Sequence, residues 1–431
     1  MRALAVALAA LALAGAAQAA PIVTIPGAPG PGPAQYNRIF VEKFGPADAK
    51  RVLVLSAGFG GGAGDFGLIA PELVARVPGL QVWAVDRREQ GFEDTSVFDS
   101  RDPAAAADYY LRGQAVGGRT FKPVDGASVP FARKWGLALT LEDLRRVVLA
   151  ARDGGRRAVL LGGHSYGAAT AVAYATWDFA GRPGYRDLAG LVLIDGGELG
   201  AFPGLTLAAA KAGLAKLATG TPFVDQLGIG LPWLYAVFAQ TLGLYALTDP
   251  EGPAALQSSP LLPPALRPPV PVTNAALLGF TAGGAASFTM GGLASAGDPR
   301  PWLDAGLTPV SRLAQFLAAT PLNANDWYYP QRLALDIAGS EALARDPVAA
   351  LLGLRTWHLS EVKVPVYAFE TNLTHGGVLR GARRLIAASK VPAARSVLAA
   401  DHAAAHDDPL VAPYEANRFL QTVVPFLRRV G

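Results

Sequence analysis

Ala158-Val159-Leu160-Leu161-Gly162-Gly163-His164-Ser165-Tyr166-Gly167-Ala168-Ala169-Thr170 is a short apolar run that ends abruptly in small residues wrapped around one serine. Ala158 to Leu161 is continuous rather than alternating, the pattern of a strand buried on both faces, and Ala168 to Ala175 then supplies small helix formers. Between them lies Gly163-x-Ser165-x-Gly167. A serine on so tight a strand-to-helix turn is held in a strained backbone, and glycines on either side remove Cβ atoms that would collide with neighbouring elements. Its hydroxyl is carried to the mouth of the sheet, beside a helix N-terminus whose free N–H groups favour developing negative charge. Ser165 is therefore the candidate nucleophile.

Working outward, Arg51-Val-Leu-Val-Leu-Ser56 reads as a second buried strand and runs into Ala57-Gly58-Phe59-Gly60-Gly61-Gly62-Ala63-Gly64. This loop lacks the lysine and hydroxyl of a phosphate-binding loop and has the wrong spacing for a dinucleotide site, so it fits better as an oxyanion loop. Leu80 to Val85 follows the Pro78-Gly79 turn as another strand and ends in Asp86-Arg87-Arg88, where a structural salt-bridge role is expected for Asp86 and Arg87. A long mixed connection over 89–139 precedes Thr140-Leu141-Glu142-Asp143, which reads as a capped helix start. Leu188 to Asp195 is a further strand, residues 20–36 look irregular, and Arg38 to Phe44 has the alternation of an edge strand. Strands alternating with helices predict an α/β fold with a mostly parallel, doubly wound sheet.

The alternation stops after Asp195. From 196 to 360 the chain becomes apolar helical pieces broken by prolines, read as an inserted helical cap, and it resumes with Val362 to Phe369, a helix over Val378 to Ser389, a strand at Arg395 to Ala399 and a closing helix over Tyr414 to Arg429. The expected core is thus 20–195 plus 361–431. Within the cap, Leu227 to Thr248 is uncharged for a length that could span a bilayer. Pro232, Gln240 and several glycines favour a buried or substrate-facing lid helix over a membrane contact.

Composition narrows the function classes. The chain has 431 residues, 51% hydrophobic and 17% charged, enough for a large core. Met1-Arg2, the apolar run Ala3 to Ala14 and Ala17-Gln18-Ala19 read as a signal peptide over 1–19, so a secreted or periplasmic protein is expected. There is no cysteine, which excludes disulfides, a thiol nucleophile and a cysteine-bound metal. A formal charge of +4 with no Lys/Arg block gives no sign of a nucleic-acid partner, and nothing in the sequence calls for a cofactor or a metal.

With Gly163-His164-Ser165-Tyr166-Gly167, the Ala57-Gly58-Phe59-Gly60 loop and the late His406-Asp407-Asp408-Pro409-Leu410 in view, the chain resembles the α/β-hydrolase fold superfamily over its core. That resemblance implies the order nucleophile, acid, histidine, with a cap after the sixth strand. It makes His406 the base, because His-x-Asp-Pro-Leu resembles the family's base-carrying loop; His402 also follows the last strand, and His164, beside the nucleophile, is expected to point away from it. The usual Gly-x-x-Asp after the seventh strand is missing, and Glu370-Thr371-Asn372 stands there instead. The orienting acid is then Glu370, in the seventh-strand position, or Asp195, in the sixth-strand position. The backbone amides of Phe59 and Tyr166 should form the oxyanion hole. The resemblance implies a serine hydrolase acting through an acyl-enzyme on a small hydrophobic ester, with an acyltransferase, a peptidase or a non-catalytic binding module as the rival readings.

Overall fold

Eight strands, β1 (Ile22–Pro26), β2 (Arg38–Phe44), β3 (Arg51–Ser56), β4 (Leu80–Asp86), β5 (Ala158–His164), β6 (Gly190–Ile194), β7 (Val366–Glu370) and β8 (Val397–Ala400), form one sheet in the order β1-β2-β4-β3-β5-β6-β7-β8. The computed structural model describes residues 22–283, 304–305 and 307–430, so the expected signal peptide lies outside the described residues. β1 and β2 run antiparallel to their neighbours and the other pairings are parallel. Register brings the strand ends together: Ser56 pairs with Gly163, His164 with Ile194, and Ile194 with Phe369.

The central strands read as unbroken apolar runs because both faces are covered. Successive side chains point to opposite faces. Val52, Val54, Val159, Leu161, Leu191 and Leu193 pack with helices α2 (Leu137–Arg152) and α3 (Tyr166–Thr176), while Leu53, Leu55, Leu160 and Val192 pack with α1 (Ile69–Arg76) on the other side. The insertion between β6 and β7 carries α4 (Leu207–Thr219), α5 (Leu234–Thr248), α6 (Asn274–Gly283), α7 (Val310–Leu317), α8 (Gln331–Ser340) and α9 (Pro347–Leu352). α10 (Gly377–Ala387) and α11 (Arg418–Arg429) complete the two helical layers.

α5 accounts for the uncharged stretch. Phe238, Leu242 and Ala246 join the cluster containing Leu313 and Phe316 of α7, whereas Leu234, Val237 and Leu244 join the aromatic cluster of Phe98, Tyr109 and Tyr110. A helix wedged between two cores is apolar all round for that reason. Among the described residues no helix is long and apolar enough to cross a membrane. Farther along the insertion, Leu333 and Ile337 of α8 and Leu352 of α9 pack in the same core as α2 and α3.

Several local expectations are corrected. Ile22–Pro26, expected to be irregular, pairs with Arg38–Phe44 and is the true edge strand, so β2 is interior. Pro26 sits at the last position of that edge strand, where the lost N–H costs least. α2 begins at Leu137 rather than at Thr140, because the Leu137 N–H is accepted at 3.0 Å by Asp336 of α8. Gly136 makes room for that contact, since a Cβ there would lie 2.2 Å from the Asp336 carboxylate. The closing helix starts at Arg418, capped by the Asn417 side chain, and a separate turn occupies Tyr414–Ala416.

One buried ion pair ties the N-terminal segment, the end of β4 and α2 together. Arg88 donates from Nε and Nη2 to both Asp143 oxygens at 2.6–2.9 Å, and Asp143 Oδ1 also accepts the Ala28 N–H at 2.7 Å. The two side chains are 3% and 9% exposed, so removing one partner strands a charge away from water. Arg88→Met should cost about 3–5 kcal/mol in urea unfolding monitored by circular dichroism. A loss under about 1 kcal/mol would show that water reaches Asp143 and that the pair holds little together.

Candidate active site

Ser165 lies at the turn from β5 into α3 with φ 54° and ψ −122°, a region that L-residues occupy only under constraint from their surroundings. The constraint is visible at the glycines. A Cβ on Gly167 would lie 1.9 Å from the Ser56 carbonyl oxygen, and one on Gly163 would lie 2.5 Å from the same atom. The loop after β3 crosses the serine just as closely, because a Cβ on Gly58 would be 2.9 Å from Ser165 Cβ and 3.1 Å from the His164 carbonyl.

This approach carries Phe59 alongside Ser165. Its N–H donates to no protein group among the described residues. The Tyr166 N–H, at the first residue of α3, has no acceptor within the helix. Arg87 braces the loop from behind, donating to the Gly61 carbonyl at 2.6 Å and the Ala57 carbonyl at 3.4 Å while paired with Glu89 at 2.7 Å and Asp326 at 2.8 Å. The structural role expected for Arg87 is the one these contacts describe.

Of the two carboxylates left open by the sequence, Asp195 meets His406. His406 Nδ1 donates to Asp195 Oδ2 at 2.6 Å, and the same carboxylate accepts the Thr371 N–H at 2.8 Å and the Thr371 hydroxyl. Burial alone would raise the Asp195 carboxyl, but the bonds from His406 and Thr371 outweigh it and hold the pKa below the ordinary carboxylate value. Glu370 goes elsewhere: it accepts from His402 Nε2 at 3.0 Å and from the Leu379 N–H at 2.9 Å. The neighbouring strand ends thus hold two separate carboxylate–histidine pairs. His402 is 61% exposed and His406 5%, so only the second pair faces the interior.

Ser165 and His406 line one cavity of about 60 Å³ without a hydrogen bond between them among the described residues. His164, expected to point away, lines it too. It continues the Leu160–Gly162 face of β5, donates from Nε2 to the His406 carbonyl at 2.9 Å and lies under the His406 ring at a centroid distance of 4.3 Å. Strand parity counted back from Ser165 is the sequence signal that would have found it. Burial, and then the neighbouring His406, push the His164 pKa down to about 3. Burial also opposes the charged form of His406, but the hydrogen bond and charge of Asp195 prevail and hold its pKa above the ordinary 6.5.

Asp65, Asp407, Gln226 and Tyr235 also line this cavity, and of these only Asp407 lies in a stretch that the sequence singles out. Through Gln226, Tyr235, Phe316, Asn325 and Asp407 it adjoins a second cavity of about 340 Å³ walled by α5, α6 and α7. His164, His406 and Asp407 have ligating atoms within 4.8 Å of one another, and His406 Nδ1 is engaged by Asp195 while His164 Nε2 is engaged by the His406 carbonyl.

A central parallel sheet with a tight serine turn after its fifth strand and a helical insertion after the sixth defines the α/β-hydrolase fold, and the chain has that fold. Among solved structures it is similar to a protein from Sulfolobus solfataricus provisionally described as a lipase, at 16% identity and a TM-score of 0.51, with 94% of this chain and 93% of that chain covered. An esterase from Thermogutta terrifontis (15% identity, TM-score 0.44, 95% and 99% covered) and a monoacylglycerol lipase from Paleococcus ferrophilus (14%, 0.41, 90% and 98%) are also similar. At these identities the shared property is the fold. No protein-family model matches the sequence, and no curated protein matches it.

The two neighbouring imidazoles should titrate far apart. In an NMR pH titration His406 should protonate with a pKa above 6.5, lowered by Asp195→Asn, while His164 stays neutral at about pH 5. Two histidines titrating together near 6.5 would contradict the described environment.

Proposed function

We propose that the chain is a serine hydrolase cleaving carboxylic esters of hydrophobic character, with Ser165 as nucleophile, His406 as base and Asp195 as the orienting acid. The observation that carries this reading is the buried Asp195–His406 hydrogen bond, 2.6 Å long, whose imidazole faces the cavity of the strained Ser165. Asp195 accepting at Nδ1 leaves Nε2 of neutral His406 as the proton acceptor, the tautomer a serine nucleophile requires.

In the first step Ser165 Oγ attacks the ester carbonyl as its proton passes to His406 Nε2, and Asp195 stabilises the imidazolium formed. The negative oxygen of the tetrahedral intermediate is held by the N–H groups of Phe59 and Tyr166. Collapse expels the alcohol, which takes the proton from His406. Water then repeats the sequence on the acyl-enzyme. The apolar walls of the larger cavity, including Phe238, Leu242 and Phe316, would cover the hydrophobic part of the substrate.

Ser165→Ala should abolish labelling by a fluorophosphonate and lower turnover by about a thousandfold or more with the fold intact. Asp195→Asn should lower kcat by about a thousandfold, whereas Glu370→Gln should lose little. A crippled Glu370→Gln beside an active Asp195→Asn would transfer the acid to β7.

Across a series of p-nitrophenyl esters, kcat/KM should rise from acetate to medium chains, since each covered methylene contributes about 0.8 kcal/mol. Steady loss of kcat/KM with chain length would rule out the larger cavity as the acyl or alcohol pocket.

A further inference from the structure

Asp65 and Asp407 both line the small cavity that holds Ser165 and His406. Asp65, from the turn at Ala63–Phe66 behind the loop after β3, is 6% exposed, and Asp407 has a side chain 13% exposed. Neither carboxylate accepts a hydrogen bond or lies within ion-pair distance of a lysine or arginine among the described residues. Arg87, the nearest guanidinium in this region, is engaged by Glu89, Asp326 and two loop carbonyls. His164 Nε2 lies 3.8 Å from Asp407 and that ring is held neutral, while the charge of the neighbouring His406 is also felt at Asp407 and favours its ionised form. Ser165 is 9% exposed, and its hydroxyl, without a protein hydrogen-bond partner among the described residues, opens into the same space.

Buried carboxylates without a partner are costly, and most such groups in native proteins are paired or coordinate a ligand. Two of them converging beside a nucleophile form a receptor for a group that brings positive charge and several N–H donors. Tyr235 and Gln226, on the same wall, add a hydroxyl and an amide carbonyl as further acceptors. We propose that Asp65 and Asp407 form a subsite for a protonated amine close to the reacting carbonyl, so that the preferred substrate is an amino-acyl ester or amide whose apolar side chain enters the larger cavity. The proposal rests on the serine-hydrolase reading above and narrows its substrate class. Burial, and for Asp65 also the charge of Asp407, raises both carboxyl groups, Asp407 to about 7 against the opposing charge of His406, and a cation bound between them would draw both back down toward the ionised form.

The probe is a matched pair at about pH 7, where an amino ester is largely protonated: L-leucine ethyl ester and its deaminated counterpart, ethyl 4-methylpentanoate. An α-ammonium group makes an ester intrinsically more reactive, so the readout is the ratio of kcat/KM for the two substrates, compared between proteins. Asp65→Asn and Asp407→Asn should each lower that ratio by at least about tenfold relative to the wild type. In the wild type alone, which needs no folded variant, leucinol should inhibit neutral-ester hydrolysis at least about tenfold more strongly than 4-methylpentan-1-ol. An unchanged ratio in a folded variant, or equal inhibition by the amine and the alcohol, would overturn the amine subsite while fluorophosphonate labelling of Ser165 leaves the hydrolase reading standing. Absence of both labelling and turnover would sink that reading and this proposal together.

Discussion

The close approach of four backbone segments around Ser165 is the constraint on which the rest of the site depends. Carbonyl oxygens of Ser56 and Ser165 lie 1.9 Å and 2.1 Å from where Cβ atoms would stand on Gly167 and Gly196, so the ends of β3, β5 and β6 and the start of α3 meet in a volume that admits no side chain there. A turn this tight forces a positive φ at the serine. The strain, of the order of 1–3 kcal/mol for such a residue, persists because apolar layers on both faces of the sheet leave the strand ends no room to relax.

Polar groups near the strand ends then divide into two kinds. Arg87 and Arg88 are saturated with carboxylates and carbonyls, and they hold the loop after β3 and the N-terminal segment against the sheet. These contacts hold in place the loop that carries the Phe59 N–H, and the proposed oxyanion role draws on that, since donors set in place beforehand need no reorganisation during reaction. Asp65 and Asp407 are left without such partners and face the cavity. The two ends of the His406 imidazole are treated differently. Nδ1 is committed to Asp195, which itself is held by Thr371, while the ring rests on neutral His164 and turns its other edge toward the cavity.

What could be read from consecutive residues was local. The unbroken apolar runs at Arg51–Ser56 and Ala158–His164, the small residues of Gly163-x-Ser165-x-Gly167 and the glycines of the loop after β3 each specify a backbone path within a few residues, and the structure has a doubly wound sheet with that turn at its centre. The loop carrying His406 was legible as the segment after the last strand, where the structure has it. The strand at Ile22–Pro26 was not, since five residues in a Pro- and Gly-rich lead-in become a strand only when β2 supplies the ladder. The start of α2 was misplaced for a similar reason, because its first N–H is satisfied by Asp336 from another helix rather than by a neighbouring cap.

The choice between Asp195 and Glu370 lay beyond the sequence for a physical reason. Both residues end adjacent parallel strands, and both are followed by segments that fit a turn. Which carboxylate reaches His406 depends on side-chain direction at the strand ends: Asp195, at φ 44°, turns toward Thr371 and His406, while Glu370 is engaged by the Leu379 N–H and His402. Charge pairing of this kind joins residues separated by 211 positions along the chain. Hydrophobic periodicity and turn chemistry carry information over one element at a time, so they established the sheet and the serine turn, whereas partner choice for the histidine, and the meeting of Asp65 with Asp407 across the cavity, arise only when the elements pack.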